Sequence, residues 1–357
     1  MSQASQQMTA LARKHRRILV IRPDRIGDVT LATPVFRALR QTFPDANLAA
    51  LVRPATEPVL RHNPHIDAIL VDDWEQSHAG RAGFADRLRM LRRHRFDTAL
   101  MLLPTERHAW MTFLAGIRTR IGVGTKLYQI LTCARSVSRQ KYIPLRHEAD
   151  YCLDLARAIG VRSDDLRTEA FLTDVERSAA QERLRLIGQV PGRPLISIHP
   201  ESGRSAPNWT TDVYRQFAEG LLTHIPEAQV LINVTPGNSA ARASFEPLRS
   251  RGMLLPDGST DLRLLMGLIA EADVVVSAST GPMHLAAALG TPTVSLFCPL
   301  TACSPILWGP QGNRSNTILP PDDYCQTRCP GDPHICTFEG GITPVQVIAA
   351  VRDMLRL

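Results

Sequence analysis

Strand-length apolar runs alternate with segments of helical period along most of this chain, and no other feature narrows the fold as much. Residues 17–22 (Arg-Ile-Leu-Val-Ile-Arg), Asn47–Val52, Ala68–Val71 and Thr98–Leu103 read as short parallel strands buried on both faces. Between them, Val29–Thr42 puts Leu31, Val35 and Leu39 near one face, and Gly83–His94 has the same helical spacing. A helix over His147–Ile159, closed by Gly160, leads into a mixed, polar stretch. That stretch holds one helical piece, Val175–Leu186, and the punctuation Pro191-Gly192-Arg193-Pro194. The alternation then restarts, with strands at Leu195–Ile198, Gln229–Val234, Asp273–Ser277 and Thr293–Phe297. The matching helices are Thr211–His224, Leu262–Ala270, Pro282–Leu289 and finally Pro344–Leu355. Alternation of this kind predicts a doubly wound α/β layer, here twice over.

A chain of 357 residues is long enough for two such layers. The expected organisation is a loose tail over residues 1–15, a Rossmann-like domain over 16–190, a second over 191–342 and a closing helix over 343–357. The halves share architecture but no repeated sequence. Open sheets of this class bind ligands beyond the carboxyl ends of their strands, so a cleft between two such halves is the expected site. The loops that follow strands are therefore where chemistry is sought.

Composition removes several alternatives. Hydrophobic residues are 44% and charged residues 21%, which supplies a core and argues against disorder. No run approaches the length of a membrane-spanning helix, and the polar opening residues lack the apolar segment of a secretory signal. Seven cysteines, an odd number, fit a reducing cytoplasm better than a disulfide framework. The net charge is +7, yet Lys occurs only at Lys14, Lys126 and Lys141, so 38 of the 41 basic residues are Arg. That excess suits an anionic partner, such as a nucleotide or phosphate-rich lipid, or reflects a genomic bias toward arginine. Aromatic residues are 5% and do not interleave with the arginines, which counts against single-stranded nucleic acid.

Three loops after strands could carry chemistry. The first is Asp24-Arg25-Ile26-Gly27-Asp28. Gly27 permits a tight turn or close backbone approach. Asp28 opens a helix, where a carboxylate can take a proton from a sugar hydroxyl or simply cap the helix. The second is Ser277-Ala278-Ser279-Thr280-Gly281-Pro282-Met283-His284. Small residues there open a helix with Pro282 in its first turn, which suits a diphosphate. His284, one turn in, could bond a phosphate or sugar oxygen or serve as a core histidine. The third is His199-Pro200-Glu201-Ser202-Gly203-Arg204-Ser205, which suits an anion or a solvated loop. None of the three is GxGxxG, and no GxxxxGK[ST] occurs. Gly122 and Gly124 lack a third glycine and a following helix.

Two further features complete the search. Cys325, Cys329 and Cys336 with His334 lack the CxxC spacing of a zinc knuckle, so a packed structural loop is expected there rather than a metal site. The basic helix of residues 81–95 sets Arg87, Arg89, Arg92 and Arg93 beside Leu88, Met90 and Leu91. It could lie on anionic membrane, hold a phosphorylated acceptor, or be a solvated face.

In order and spacing, the segments ILVIRPDRIGDVTLATPVFRALRQTFPDANL, HEADYCLDLARAIGV, SIHPESGRSAPNWTTDVY and ADVVVSASTGPMHLAAALGTPTVSLFCP, with SPILWGP and the Cys-bearing tail, resemble one family. It is the ADP-heptose:lipopolysaccharide heptosyltransferases, glycosyltransferase family 9, and the resemblance runs from about Arg17 to Leu357. It implies an α/β GT-B fold, two Rossmann-like domains facing a central cleft, with the acceptor on the N-terminal one and the nucleotide sugar on the C-terminal one. It implies inverting transfer without a metal or any cofactor besides the donor, ADP-heptose. Asp28 would be the general base. Ser202, Gly203, Arg204, Ser239, Ser279, Thr280, Gly281, Pro282, Met283 and His284 would surround the donor. Arg25, Gly27, Arg87 and Arg92 are candidates for the acceptor, a lipopolysaccharide core or related lipid-linked glycan. The setting implied is the cytoplasm, peripheral to the anionic inner face of the inner membrane, with no nucleic-acid partner.

This chain departs from the family pattern at three places. Pro207 stands where a Lys commonly lies two residues before the tryptophan matching Trp209. Ser239 stands where a glutamate often holds the ribose, and Ser279 where an aspartate often precedes the Thr-Gly pair. The departures bear on the donor more than on the fold. They also keep two other readings in view, a GT-B-like binding protein without catalysis and a nucleotide-sugar epimerase of similar build. Closure on donor binding is expected, because the base and the diphosphate site fall on different halves.

Overall fold

The computed structural model describes residues 14–139, 142–203, 206–235, 237–256 and 261–357. The chain divides into two compact units, residues 1–170 and 171–357, each built on one parallel sheet.

The first sheet holds β1 (Arg17–Ile21), β2 (Asn47–Val52), β3 (Ala68–Val71), β4 (Thr98–Met101), β5 (Thr119–Val123) and β6 (Arg135–Val137). Their order is β3-β2-β1-β4-β5-β6. In the central strand β1, Ile18 pairs with Leu48 on one side and Thr98 on the other, and Ile18 to Ile21 are fully buried. Parallel strands covered by helices on both faces need apolar residues on both faces, which is why β1 reads as an unbroken apolar run. The helices are α1 (Ile26–Leu31), α2 (Thr33–Thr42), α3 (Gly80–His94), α4 (Glu106–Leu114), α5 (Leu127–Leu131) and α6 (Glu148–Arg157).

The second sheet holds β7 (Leu195–His199), β8 (Gln229–Ile232), β9 (Val274–Ala278), β10 (Thr293–Leu296) and β11 (Ser315–Ile318), in the order β11-β10-β9-β7-β8. Its helices are α7 (Asp174–Leu186), α8 (Thr211–His224), α9 (Ser239–Phe245), α10 (Leu262–Ala270), α11 (Gly281–Leu289) and α12 (Pro344–Leu355). The core joins Tyr214, Phe217 and Leu221 of α8 to Val347 and Val351 of α12. Gly220 lets these helices close: a Cβ there would sit 2.7 Å from Ile348 Cδ1.

The structure corrects several expectations. The helix expected over Val29–Thr42 is two, broken at Ala32. Inside one continuous helix Pro34 would lose a backbone hydrogen bond and clash with the preceding turn, whereas the first turn of α2 tolerates it. His15 does not belong to the loose tail expected over 1–15. His15 is buried, bonded through Nδ1 to Thr98 Oγ1 at 2.7 Å, with its ring 5.7 Å from Phe43; residues 1–13 lie outside the described residues. The units part after Ala170, well before Pro191, because α7 packs on α10. A Cβ on Gly267 would lie 2.7 Å from Ala180 Cβ, so that contact depends on glycine. The closing helix α12 is part of the second unit's core. A short helix, α5, does follow Gly124. Strands β5, β6 and β11 and helices α4 and α9 go beyond the elements expected from the sequence. Among the described residues, no helix is long and apolar enough to cross a membrane.

In each sheet the strand order reverses once, between β1 and β4 and between β7 and β9. The loops leaving the carboxyl ends of those strands diverge to opposite faces and leave room for a ligand. They are the loops that carry Asp24–Asp28, Pro200–Gly203 and Ser279–Thr280.

Candidate functional site

In the first unit, the residue that ends the apolar run of β1 organises the site. Arg22 is buried, and Nη2 donates to Asp28 Oδ1 at 2.6 Å. The same nitrogen lies 3.5 Å from Asp24 Oδ2. Nη1 donates to Glu148 Oε1 at 3.1 Å, and Arg139 Nη2 reaches that oxygen at 3.0 Å. Burial works against the charge on Arg22, but the carboxylates of Asp28, Glu148 and Asp24 beside it outweigh that and hold the guanidinium firmly protonated. The Cys152 thiol beneath is pushed up to about 12, by burial above all. Burial, and then the charge of Asp28, raise the Asp24 carboxyl above its ordinary range despite Arg22.

Asp28 is not the cap of its helix. The N-cap of α1 is Arg25, whose side chain makes no capping bond, and Asp28 sits in the first turn, where the helix dipole favours a carboxylate. Its side chain is 18% exposed, and Oδ2 has no partner among the described residues. Gly27 lies within α1, so its contribution is the missing side chain rather than a turn. Arg25 is exposed.

The two acceptor candidates on α3, Arg87 and Arg92, part company. Arg87 Nη1 donates to Val71 O at 3.1 Å, at the carboxyl end of β3, and the guanidinium pairs with Asp86. Arg92 donates to Leu114 O at 3.0 Å from the last turn of α3. That turn lies at the amino edge of the sheet, so the structure does not bring Arg92 together with Asp28.

A second cluster at the carboxyl edge was missed from sequence. Asp72, buried just beyond β3, receives Arg107 Nε at 2.7 Å and Nη2 at 3.0 Å, and His108 Nε2 lies 3.2 Å away. Burial tends to raise its carboxyl, but His108 and Arg107 outweigh that and hold it below the ordinary range. Trp74 packs edge-on against His108, with Arg53 over its face at 5.1 Å. These residues come from the segments after β2 and β3 and from the first turn of α4, and no local motif marks them.

In the second unit, Thr280 is the N-cap of α11 and is buried, and its Oγ1 has no hydrogen-bond partner among the described residues. Its hydroxyl makes no capping bond, and Pro282 follows in the first turn. The first N–H groups of such a helix have no intrahelical acceptor and point along its dipole, which suits an anion. Met283 and His284 are buried in α11, and Gly281, Pro282 and Ser279 are half-buried around its start. Ser202 is half-buried, with Oγ donating to Ala206 O at 3.4 Å, and Gly203 is exposed. Arg204 lies outside the described residues. Ser239 is exposed at the start of α9, whose cap is Asn238.

Glu201 ties two of these loops together. It accepts from Thr235 N and from Asn238 Nδ2, so the loop after β7 holds the loop after β8. Burial tends to raise its carboxyl, but those bonds win and hold it low. Only the adjacency of β7 and β8 makes its role visible. Asn208 continues the support, donating through Nδ2 to Pro200 O at 2.9 Å and through its backbone to Cys336 O at 3.2 Å. Cys336, Cys325 and Cys329 pack against the same core as Cys298 and Cys303, and all seven cysteines are free thiols. Among the described residues, no three His, Cys, Asp or Glu side chains gather as a metal site requires.

Known proteins resemble this chain in sequence and in fold. Residues 86–330 match the family described as glycosyltransferase family 9 (heptosyltransferase). Lipopolysaccharide heptosyltransferase 2 of Salmonella typhimurium is 26% identical over 356 residues, spanning 95% of this chain and 98% of its own. The family 9 glycosyl transferase of Veillonella parvula superposes with a TM-score of 0.77 at 21% identity, over 95% of this chain and 97% of its own. The Escherichia coli ADP-heptose lps heptosyltransferase II gives 0.74 at 21% identity, over 95% and 98%. Both share the two-sheet GT-B-type fold. This chain belongs to glycosyltransferase family 9, the heptosyltransferase family, and is a glycosyltransferase.

Proposed function

We propose that this enzyme moves heptose from ADP-heptose to a lipopolysaccharide core or related lipid-linked glycan, with inversion at the anomeric carbon and without a metal. The observation that carries the reading is Asp28: one oxygen is committed to buried Arg22, and the other has no partner among the described residues, at the switch point of the sheet. The first unit would hold the acceptor and the second the donor.

In this mechanism Asp28 Oδ2 takes the proton of the acceptor hydroxyl as its oxygen attacks the anomeric carbon. The bond from that carbon to the diphosphate breaks, and its electron pair leaves on ADP. The N–H groups at the start of α11 and the hydroxyls of Thr280 and Ser202 meet the growing negative charge. His284, Ser279 and Ser239 complete the donor site, with Arg204 supplying a cation from the loop after β7. Arg25 and Gly27 flank the base on the acceptor side. Donor identity rests on the relatives, among them the Escherichia coli ADP-heptose lps heptosyltransferase II. The enzyme would work in the cytoplasm, peripheral to the anionic inner face of the inner membrane, in keeping with its arginine excess.

The test is a transfer assay with ADP-heptose and heptose-free lipopolysaccharide core, read by mass. It is paired with melting temperatures in ADP, UDP and GDP forms at equal concentration, since a ligand of the native state raises the melting temperature. Product one heptose heavier, with a shift selective for ADP forms, is the expected result. A shift with UDP or GDP forms alone would discard the heptose donor.

A further inference from the structure

A cavity of about 340 Å³ opens at the amino ends of β5 and β6, walled by Lys14, Arg118, Arg120 and Arg135, with Cys133 at its side. Asp28 lies beyond the carboxyl end of β1 in the same parallel sheet, so the cavity is at the opposite edge from the catalytic loop. Among the described residues, no carboxylate lines it.

Among the described residues, none of these four cations is ion-paired. Lys14 and Arg118 make no hydrogen bond or ion pair among the described residues, and both are exposed. Arg135 donates Nη1 to Ala158 O at 3.1 Å. Arg120 gives Nε and Nη2 to Thr132 O, at 3.2 and 2.6 Å, and Nη1 to Ile117 O. Its guanidinium lies 5.3 Å over Phe113. Three of the five N–H groups of Arg120 are thus committed, all to neutral carbonyls, and none to a carboxylate. Burial accordingly pushes its pKa below the ordinary value. Four like charges around one hollow repel one another, and a bound anion relieves that repulsion.

We infer that this cavity is a second ligand site, distinct from the transfer site, that binds a phosphate-bearing anion. Arginine forks match phosphate oxygens in pairs, and Lys14 adds a point charge at the mouth. The volume falls at the small end of ligand pockets, roughly 300–1,000 Å³, which suits a phosphate or a phosphorylated headgroup. Exposed apolar side chains lie nearby: Phe113 beneath Arg120, and Ile130 and Leu131 shortly before Cys133. Such neighbours allow the phosphate to be carried by a lipid as well as free in solution.

The experiment compares the full chain with the double variant Arg118→Gln/Arg135→Gln. An unchanged melting temperature without ligand shows that the variant folds. The probes are inorganic pyrophosphate, by calorimetry, and vesicles of phosphatidylglycerol against phosphatidylcholine, by sedimentation at fixed salt. Binding weakened by about tenfold or more is expected, the scale of losing charge-assisted hydrogen bonds. A loss for pyrophosphate identifies a free anion as ligand; a loss for phosphatidylglycerol vesicles alone identifies a headgroup. Cys133 gives a second readout, because it is the exposed cysteine and lines the cavity. Saturating anion slows its alkylation severalfold in the parent chain, with Cys133→Ser as the blank. Equal binding of both probes by parent and variant, or alkylation indifferent to anion, overturns the assignment.

Discussion

Arg22 holds Asp28 by one oxygen and is itself pulled the other way: Nη2 donates to Asp28 Oδ1 across 2.6 Å while Nη1 donates to Glu148 Oε1 across 3.1 Å. A guanidinium fixed at both ends cannot follow the carboxylate if it rotates. The carboxylate plane is thereby set, and the second oxygen is presented to the ligand space. In the proposed mechanism a buried arginine, which looks structural, would thereby aim the base.

Asp28→Asn keeps the size and the bond to Arg22 but cannot accept a proton. Transfer should fall by about 10²- to 10⁴-fold, the usual worth of a positioned base. The KM for the donor should stay within a factor of about two, because uniform binding is untouched. Initial rates at saturating donor decide the matter. A variant within tenfold of the parent rate removes Asp28 as the base.

Asp24 provides a test of sign. Its carboxyl is raised above the ordinary 3.8 by burial and by the charge of Asp28. A raised carboxyl means the folded state holds its proton more tightly than the unfolded state. Stability is therefore lost as pH rises from the ordinary value through the raised one. Asp24→Asn cannot ionise and escapes that loss, so it should gain on the parent as pH climbs from 3 to 7. Melting temperatures across that range read it directly; a variant that fails to gain on the parent as pH rises contradicts the electrostatic account.

Thr280→Val separates stability from function. The Thr280 hydroxyl is buried without a hydrogen-bond partner among the described residues, so replacing it by a methyl of similar shape removes a desolvation cost. The variant should melt no lower than the parent. If the hydroxyl bonds the diphosphate, donor affinity should fall by about tenfold, equivalent to about 1.4 kcal/mol. Calorimetry with ADP measures this, and unchanged affinity takes Thr280 out of the donor site.

The strands of both sheets were legible because parallel strands buried on both faces must be apolar throughout. The missed ones do not meet that condition. β11 lies at the edge of its sheet and alternates exposed and half-buried residues, and β6 is three residues long. The loops bearing Asp28 and Thr280 were legible because each follows a strong strand and opens a helix. Glu201 and the Asp72–Arg107 pair were not, because each joins segments that only strand order brings together. Arg92 misled for the complementary reason: helical spacing gives a face but not which end of the sheet the side chain reaches.

Glu176 fixes the start of α7 to α10. Its carboxylate takes Arg263 Nε at 2.7 Å and Nη2 at 2.6 Å, and closes a capping box with Thr173. Arg263, with burial opposing it and Thr173 assisting, brings the carboxyl from its ordinary 4.5 down to about 2. A depressed carboxyl stabilises the fold above the ordinary value, and that stability drains away as pH falls from about 4.5 to about 2. The side chain is 23% exposed, so water screens the pair, and Glu176→Gln should cost about 1 kcal/mol at neutral pH. The gap in melting temperature between parent and variant should be full at pH 7 and close as the solution approaches pH 2. A gap of the same size at both ends would mean that α7 is held by packing such as Ala180 on Gly267, and that the ion pair contributes nothing of its own.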